Sequence, residues 1–116
     1  MVINLEEIHH IYIAYGKTDL RKGIDSLAII VQEEFEMDPF SQSLFLFCGT
    51  RNDRFKALYW DGSGFWLFYK RFEEGKMKWP RDHKELKKIS IQQWEWLLSG
   101  FPIEQPIQKI RKKNFY

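Results

Sequence analysis

The chain has 116 residues with 18 Lys and Arg against 16 Asp and Glu, a net charge of +2, 17% aromatic residues including five Trp, and one cysteine. That length suits a single domain able to bury a core without staples, and the aromatic content together with a mean hydropathy of −0.48 argues against a disordered chain. Cys48 alone excludes an intramolecular disulfide, and there is neither a signal-peptide pattern nor an apolar run near the ~18 residues of a membrane span, so a reducing cytoplasm is the expected compartment.

The charge is unevenly spread. Residues 1–50 hold three cations, Lys17, Arg21 and Lys22, against eight carboxylates, whereas residues 51–88 hold eleven cations against six. Such polarisation suits contact with nucleic acid or an acidic protein; an uneven but merely solvated surface is the plain alternative.

Residues 8–15, IHHIYIAY, are rich in β-branched and aromatic side chains and predict a strand. After Gly16-Lys17-Thr18 a helix is expected from about Asp19, with Thr18 as its N-cap. Leu20, Ile24, Leu27, Ala28, Val31 and Phe35 recur at helical spacing and give a long amphipathic helix packed on a sheet. Gly23 within it implies close packing. Asp38-Pro39 stops it, since the residue before proline is driven out of the α region.

Leu44 to Cys48 is a short apolar run of the kind that occupies a central strand covered on both faces. Arg54–Trp60 and Phe65–Arg71 flank Asp61-Gly62-Ser63-Gly64 and make a β-hairpin. With a symmetric turn, Arg54 opposes Arg71, Lys56 opposes Tyr69, Leu58 opposes Leu67 and Trp60 opposes Phe65 on one face. Phe55, Ala57, Tyr59, Trp66, Phe68 and Lys70 lie on the other, which looks like core. The first face, with cations at its far end and an apolar patch near the turn, is the candidate contact surface.

A second turn at Glu73–Lys76 leads to an expected short strand around Met77 to Trp79, ended by Pro80. Arg81 to Lys88 reads as charged and exposed. Ser90 and Gln93 form a capping box for a short helix whose apolar stripe is Ile91, Trp94, Leu97 and Leu98, terminated by Gly100. The expected organisation is one globular domain over residues 1–100 and a basic, flexible tail over 101–116 with Lys109, Arg111, Lys112 and Lys113. The fold class is α+β: an antiparallel sheet of about four or five strands, one long amphipathic helix on it and a short C-terminal helix.

Candidate chemistry is sparse. Gly16-Lys17-Thr18 lies between strand and helix as a phosphate loop does, but Ile11 stands where such a loop needs its first glycine. His9 and His10 point to opposite faces of a strand and cannot share a metal; His83 stands alone in a charged loop, and Cys48 fits a buried small residue better than a nucleophile. Asp19 and Asp25 share no helix face, and Asp53 and Asp61 fit turns, where their side chains bond nearby backbone. No catalytic residue, metal site or cofactor is expected. The hairpin is the best candidate: Arg54, Lys56, Lys70 and Arg71 can neutralise phosphates, and Tyr69 or Trp60 can stack on a base.

Gly16-x-Thr18-Asp19-Leu20-Arg21-Lys22, Asp38-Pro39-Phe40, Asp53-Arg54-x-Lys56, Trp60-x-Gly62-x-Gly64-Phe65-x-Leu67, Tyr69-Lys70-Arg71-x-Glu73-x-Gly75 and Trp79-Pro80 together resemble the TnpB-type accessory protein of insertion sequence family 66, over roughly Ile11 to Gly100. The resemblance implies a small bacterial protein encoded beside a DDE transposase and needed for efficient movement of the element, the catalytic carboxylates lying in the transposase itself. Expected partners are that transposase and DNA, with no membrane. The alternative is an adaptor that binds the transposase without touching DNA. The loop Gly49-Thr50-Arg51-Asn52-Asp53 is poorer in arginine than in similar sequences, which counts against it as the part that grips DNA.

Overall fold

A computed structural model describes residues 5–104. Five strands, β1 (Ile11–Ala14), β2 (Leu44–Phe47), β3 (Arg54–Trp60), β4 (Phe65–Arg71) and β5 (Leu86–Ile89), form one sheet in the order β4-β3-β2-β1-β5. The sheet is mixed, not antiparallel: β1 and β2 run parallel, with Ile11 beside Leu44 and Ile13 beside Leu46, and the other pairs are antiparallel. Parallel neighbours need a crossover, and helix α1 (Ile24–Ile29) supplies it.

The helix is also shorter than the apolar spacing predicts. α1 spans 6 residues and continues as a π-helical stretch of 5 over Ile30–Glu34, closed by Phe35 N–H donating to the Ile30 carbonyl at 3.3 Å. It does not begin at Asp19, because the Asp19 carboxylate captures the Arg21 backbone N–H at 3.0 Å and folds the chain into a local turn that competes with helix. Thr18 caps nothing; it is buried, and its N–H donates to the Cys48 carbonyl at 2.8 Å. Gly23 is the N-cap in extended backbone with open space around it, not a close-packing site.

Both faces of the sheet are covered. Ala14, Phe45, Phe47 and Leu58 pack under Leu27, Ile30 and Val31 of the helical segment. On the opposite face Ile13, Leu44, Leu46, Phe55, Ala57 and Tyr59 pack under Met77, Trp79, Trp94, Leu97 and Ile103. β2 sits in the middle of the sheet and all four of its residues are buried, as its apolar run predicts. The hairpin face taken from the sequence as a contact surface is therefore core at its centre, where Leu58 is fully buried.

Residues 72–79 form no strand. They cross the second face as irregular chain, pinned by Met77 N–H to the Asn52 carbonyl at 2.8 Å and by the Trp79 indole to the Ala14 carbonyl at 2.9 Å. The fifth strand lies instead in the charged run, at Leu86–Ile89, where Lys87 and Lys88 occupy an edge beside β1. Helix α2 (Ile91–Leu98) carries the expected capping box, with Gln93 N–H to Ser90 Oγ at 3.0 Å and Ser90 N–H to Gln93 Oε1 at 2.8 Å. Trp94 and Leu97 of its stripe are buried, but Ile91 faces solvent. Ile103 is buried and its carbonyl accepts from Gln93 Nε2; residues 105–116 of the expected tail lie outside the described residues.

The hairpin register is the symmetric one, Arg54 opposite Arg71 through Trp60 opposite Phe65. Gly62 takes φ +101° in the turn, and Asp61 organises it: Oδ1 accepts from Ser63 N–H (2.8 Å), Gly64 N–H (2.9 Å) and the Ser63 hydroxyl (3.0 Å), and Oδ2 from the Trp66 indole (2.7 Å). These donors, the Ser63 N–H foremost, favour the carboxylate and hold its pKa down to about 2. A depressed carboxyl stabilises the fold above its unfolded value of about 4 and loses that contribution as pH falls through the folded value. Asp61→Asn is expected to remove this part of the acid dependence between about pH 4 and pH 2, read by acid unfolding against the parent chain. Superimposable acid profiles would refute it.

Candidate nucleic-acid interface

Beyond the C-terminal ends of the parallel pair, the chain passes from β1 into residues 16–21 and from β2 into residues 49–51. Between these loops and the far end of the hairpin lies an open cleft of about 890 Å³, lined by Lys17, Thr18, Asp19, Leu20, Arg21, Gly49, Thr50, Arg51, Arg54, Lys56, Leu67 and Tyr69. The crevice outside the carboxyl ends of parallel strands is where open α/β sheets place ligands, because the loops diverge there.

The walls are held by backbone bonds. Gly16 N–H donates to the Pro80 carbonyl at 2.9 Å, and Thr18 N–H to Cys48 lashes the first loop to the end of β2. Gly49 allows the close approach of the two loops: a Cβ there would stand 3.3 Å from both Leu20 Cγ and the Thr18 carbonyl oxygen, so either neighbour would have to give by a few tenths of an ångström. From behind, the Arg81 guanidinium reaches the Gly49 carbonyl (2.5 Å), Asn52 Oδ1 (2.8 Å) and, more loosely, the Gly16 carbonyl (3.4 Å) and Cys48 Sγ (3.5 Å). Burial pushes the Cys48 thiol up, against the pull of Arg81, so Cys48 is an inert core residue.

The lining carries five cations and one carboxylate. Arg21 is spoken for by Asp19, whose carboxyl its guanidinium holds well below the usual range, with Nη2 to Oδ2 at 2.8 Å. Arg54 pairs with Asp53 at 2.9 Å. Lys56 Nζ donates to the Lys22 carbonyl at 2.9 Å and, like Lys17 and Arg51, forms no ion pair among the described residues. The cations of the cleft outside any ion pair among the described residues are thus Lys17, Arg51 and Lys56. Tyr69, opposite Lys56, is 54% exposed and offers its ring beside the apolar Leu20 and Leu67.

Of the residues expected from the sequence, Arg54, Lys56 and Tyr69 come together in this cleft. Arg71 stands opposite Arg54 in the sheet but turns to Glu73, 3.0 Å away, and does not line the cleft. Lys70 points to the other sheet face, its Nζ 5.3 Å from the Phe72 ring centre. Trp60, the other stacking candidate, is packed against Phe40 and Phe65 at the hairpin tip. Lys17, Arg21, Thr50 and Arg51 were not expected. Their signal was the βαβ connectivity: once two strands are parallel, the loop after each becomes a candidate, the arginine-poor loop included.

Asp61 bonds the backbone of its turn as expected, whereas the Asp53 carboxylate is taken by the Arg54 guanidinium, and among the described residues no three His, Cys, Asp or Glu side chains gather to hold a metal. Nor, among the described residues, is any helix long and apolar enough to cross a membrane.

The family model described as IS66 Orf2-like protein matches residues 9–108. Among curated proteins, the uncharacterized protein y4hO of Sinorhizobium fredii is 38% identical over 96 residues, 83% of this chain and 84% of the relative. A second protein of that strain, the uncharacterized y4jC, is 32% identical over 90 residues, 78% and 77% of the two chains. No solved structure matches the chain. The family match takes in every strand, both helices and all the residues that line the cleft, and the chain therefore belongs to the IS66 Orf2-like protein family.

Proposed function

We propose that this protein is a non-enzymatic accessory factor for the transposition of an insertion sequence and that it contacts DNA through the cleft between the two loops and the hairpin. Membership of the IS66 Orf2-like family supports the transposition setting. The observation that carries DNA contact is the convergence of Lys17, Arg51 and Lys56, none of them in an ion pair among the described residues, around an exposed tyrosine ring. Such cations displace condensed counterions from phosphates, and an open aromatic face adds stacking. The transposase of the same element carries the chemistry and is the partner this factor serves.

Replacing Lys17, Arg51 and Lys56 together by alanine is expected to weaken binding to a DNA fragment from the element's end. The slope of log K against log salt should fall by about 2–3, close to one unit per lost phosphate contact. Titration by fluorescence anisotropy over a salt series reads both quantities, and unchanged affinity and slope would overturn the assignment.

One feature favours the adaptor reading beside it. β4 is a sheet edge of 7 residues and presents Trp66, 53% exposed and stacked on Phe68, a surface suited to a protein strand. That reading requires a complex with the transposase that forms without DNA and survives the triple substitution.

A further inference from the structure

We infer that the cleft takes an unpaired DNA strand, with a base stacked on Tyr69 and the flanking phosphates held by Lys17, Arg51 and Lys56. The inference rests on the DNA-binding proposal above and goes further by naming the form of DNA.

Three observations carry it. The site is an open recess of about 890 Å³ between the two loops and the hairpin. A duplex is a convex cylinder, read by a helix or ribbon that protrudes into a groove about 12 Å wide. Here the cations line a recess, and the helix of the βαβ unit is spent covering the sheet. Second, the recess is amphipathic: Leu20, Leu67 and the half-exposed Tyr69 ring lie among the cations. Duplex phosphates have no use for an apolar floor, whereas the face of an unstacked base does, and stacking tolerates any base. Third, Tyr69 sits on the edge strand β4 directly across from Lys56, so its ring is approachable from the open side while a cation stands beside it. That is the combination of stacking platform and electrostatic funnel that holds single strands.

The experiment compares a fluorescein-labelled single-stranded 20-mer with the duplex of the same sequence, at one moderate salt concentration, for the parent chain, Tyr69→Ala and Tyr69→Phe. The single strand is expected to bind at least about tenfold more tightly than the duplex. Tyr69→Ala is expected to weaken single-strand binding by about fivefold to a hundredfold and duplex binding by less than about twofold, and Tyr69→Phe, which keeps the ring, to bind like the parent. Equal affinity for the two forms, or an equal loss on both in Tyr69→Ala, overturns the inference. Salt-dependent duplex binding without single-strand preference overturns this inference alone, while binding of neither form overturns the DNA-binding proposal with it.

Discussion

Replacing Arg81 by methionine is expected to destabilise the fold by about 2–4 kcal/mol and to weaken DNA binding, although Arg81 does not line the cleft. Its guanidinium joins two segments distant from it and from each other in sequence: the turn after β1 through the Gly16 carbonyl, and the β2–β3 loop through the Gly49 carbonyl and Asn52 Oδ1. Hydrogen bonds from a charged donor contribute about 1.5–3 kcal/mol each, with incomplete additivity when several share one group, and deleting the donor strands part-buried carbonyls. Methionine keeps most of the length and none of the donors. With Gly49 and Asn52 released, the loop that carries Arg51 loses its position.

Two measurements separate positioning from contact. Urea unfolding should show a lower midpoint at constant m-value. The DNA titration should show weaker binding with a salt slope close to the parent's, since no phosphate contact is removed, whereas Arg51→Ala lowers the slope by about one unit. A fall in slope for Arg81→Met equal to that for Arg51→Ala would make Arg81 a phosphate ligand and refute the clamp. Parent-like stability would show that the clamp contributes nothing.

Trp94→Ala is expected to cost about 3–5 kcal/mol, the loss typical of a buried tryptophan. Trp94 is 2% exposed and sets its ring edge-on to Phe55, with centroids 5.2 Å apart and planes at 86°. It is the largest fully buried side chain and the point where α2 locks onto the sheet face opposite α1. Against a total stability of about 5–15 kcal/mol for a domain of this size, the variant sits near the limit of folding. Thermal unfolding should fall by at least about 12 °C, from about 4–8 °C per kcal/mol. Ile91→Ala, on the solvent side of the same helix, should stay within about 0.5 kcal/mol of the parent. A Trp94→Ala midpoint within about 4 °C of the parent would mean that α2 is not a structural part of the domain.

Elements set by short-range rules were legible from the residues. The hairpin register follows from a turn in which the Asp61 side chain bonds the next backbone groups and Gly62 takes a positive φ, so pairing from Arg54 to Arg71 needed no further information. The Ser90–Gln93 capping box and the buried run Leu44–Phe47 are local in the same sense. The readings that failed were those in which distant partners override the local pattern. The apolar spacing extended the helix back to Asp19, but the Asp19 side chain and the Thr18 N–H found better partners in Arg21 and Cys48. Arg81 to Lys88 reads as a solvated charged run, yet its end pairs as β5, because an edge strand takes its backbone bonds from a neighbour, here β1, that charge does not reveal. Met77 and Trp79, read as strand, are irregular chain whose side chains fill the second core.

The candidate site divides the same way. The sequence by itself determined the family resemblance, the pairing of Lys56 with Tyr69 and the presence of cations at the far end of the hairpin, because these follow from motif spacing along the chain and from one tight turn. Only the tertiary structure decided that β1 and β2 run parallel. That brings residues 17–21 and 49–51 against the hairpin, adds Lys17 and Arg51 to the cleft, and leaves Lys70 and Arg71 outside it. Strand direction is chosen by how two faces of one sheet are both covered, α1 on one side and α2 with residues 72–79 on the other. That choice is a property of the whole core and of no single stretch of chain.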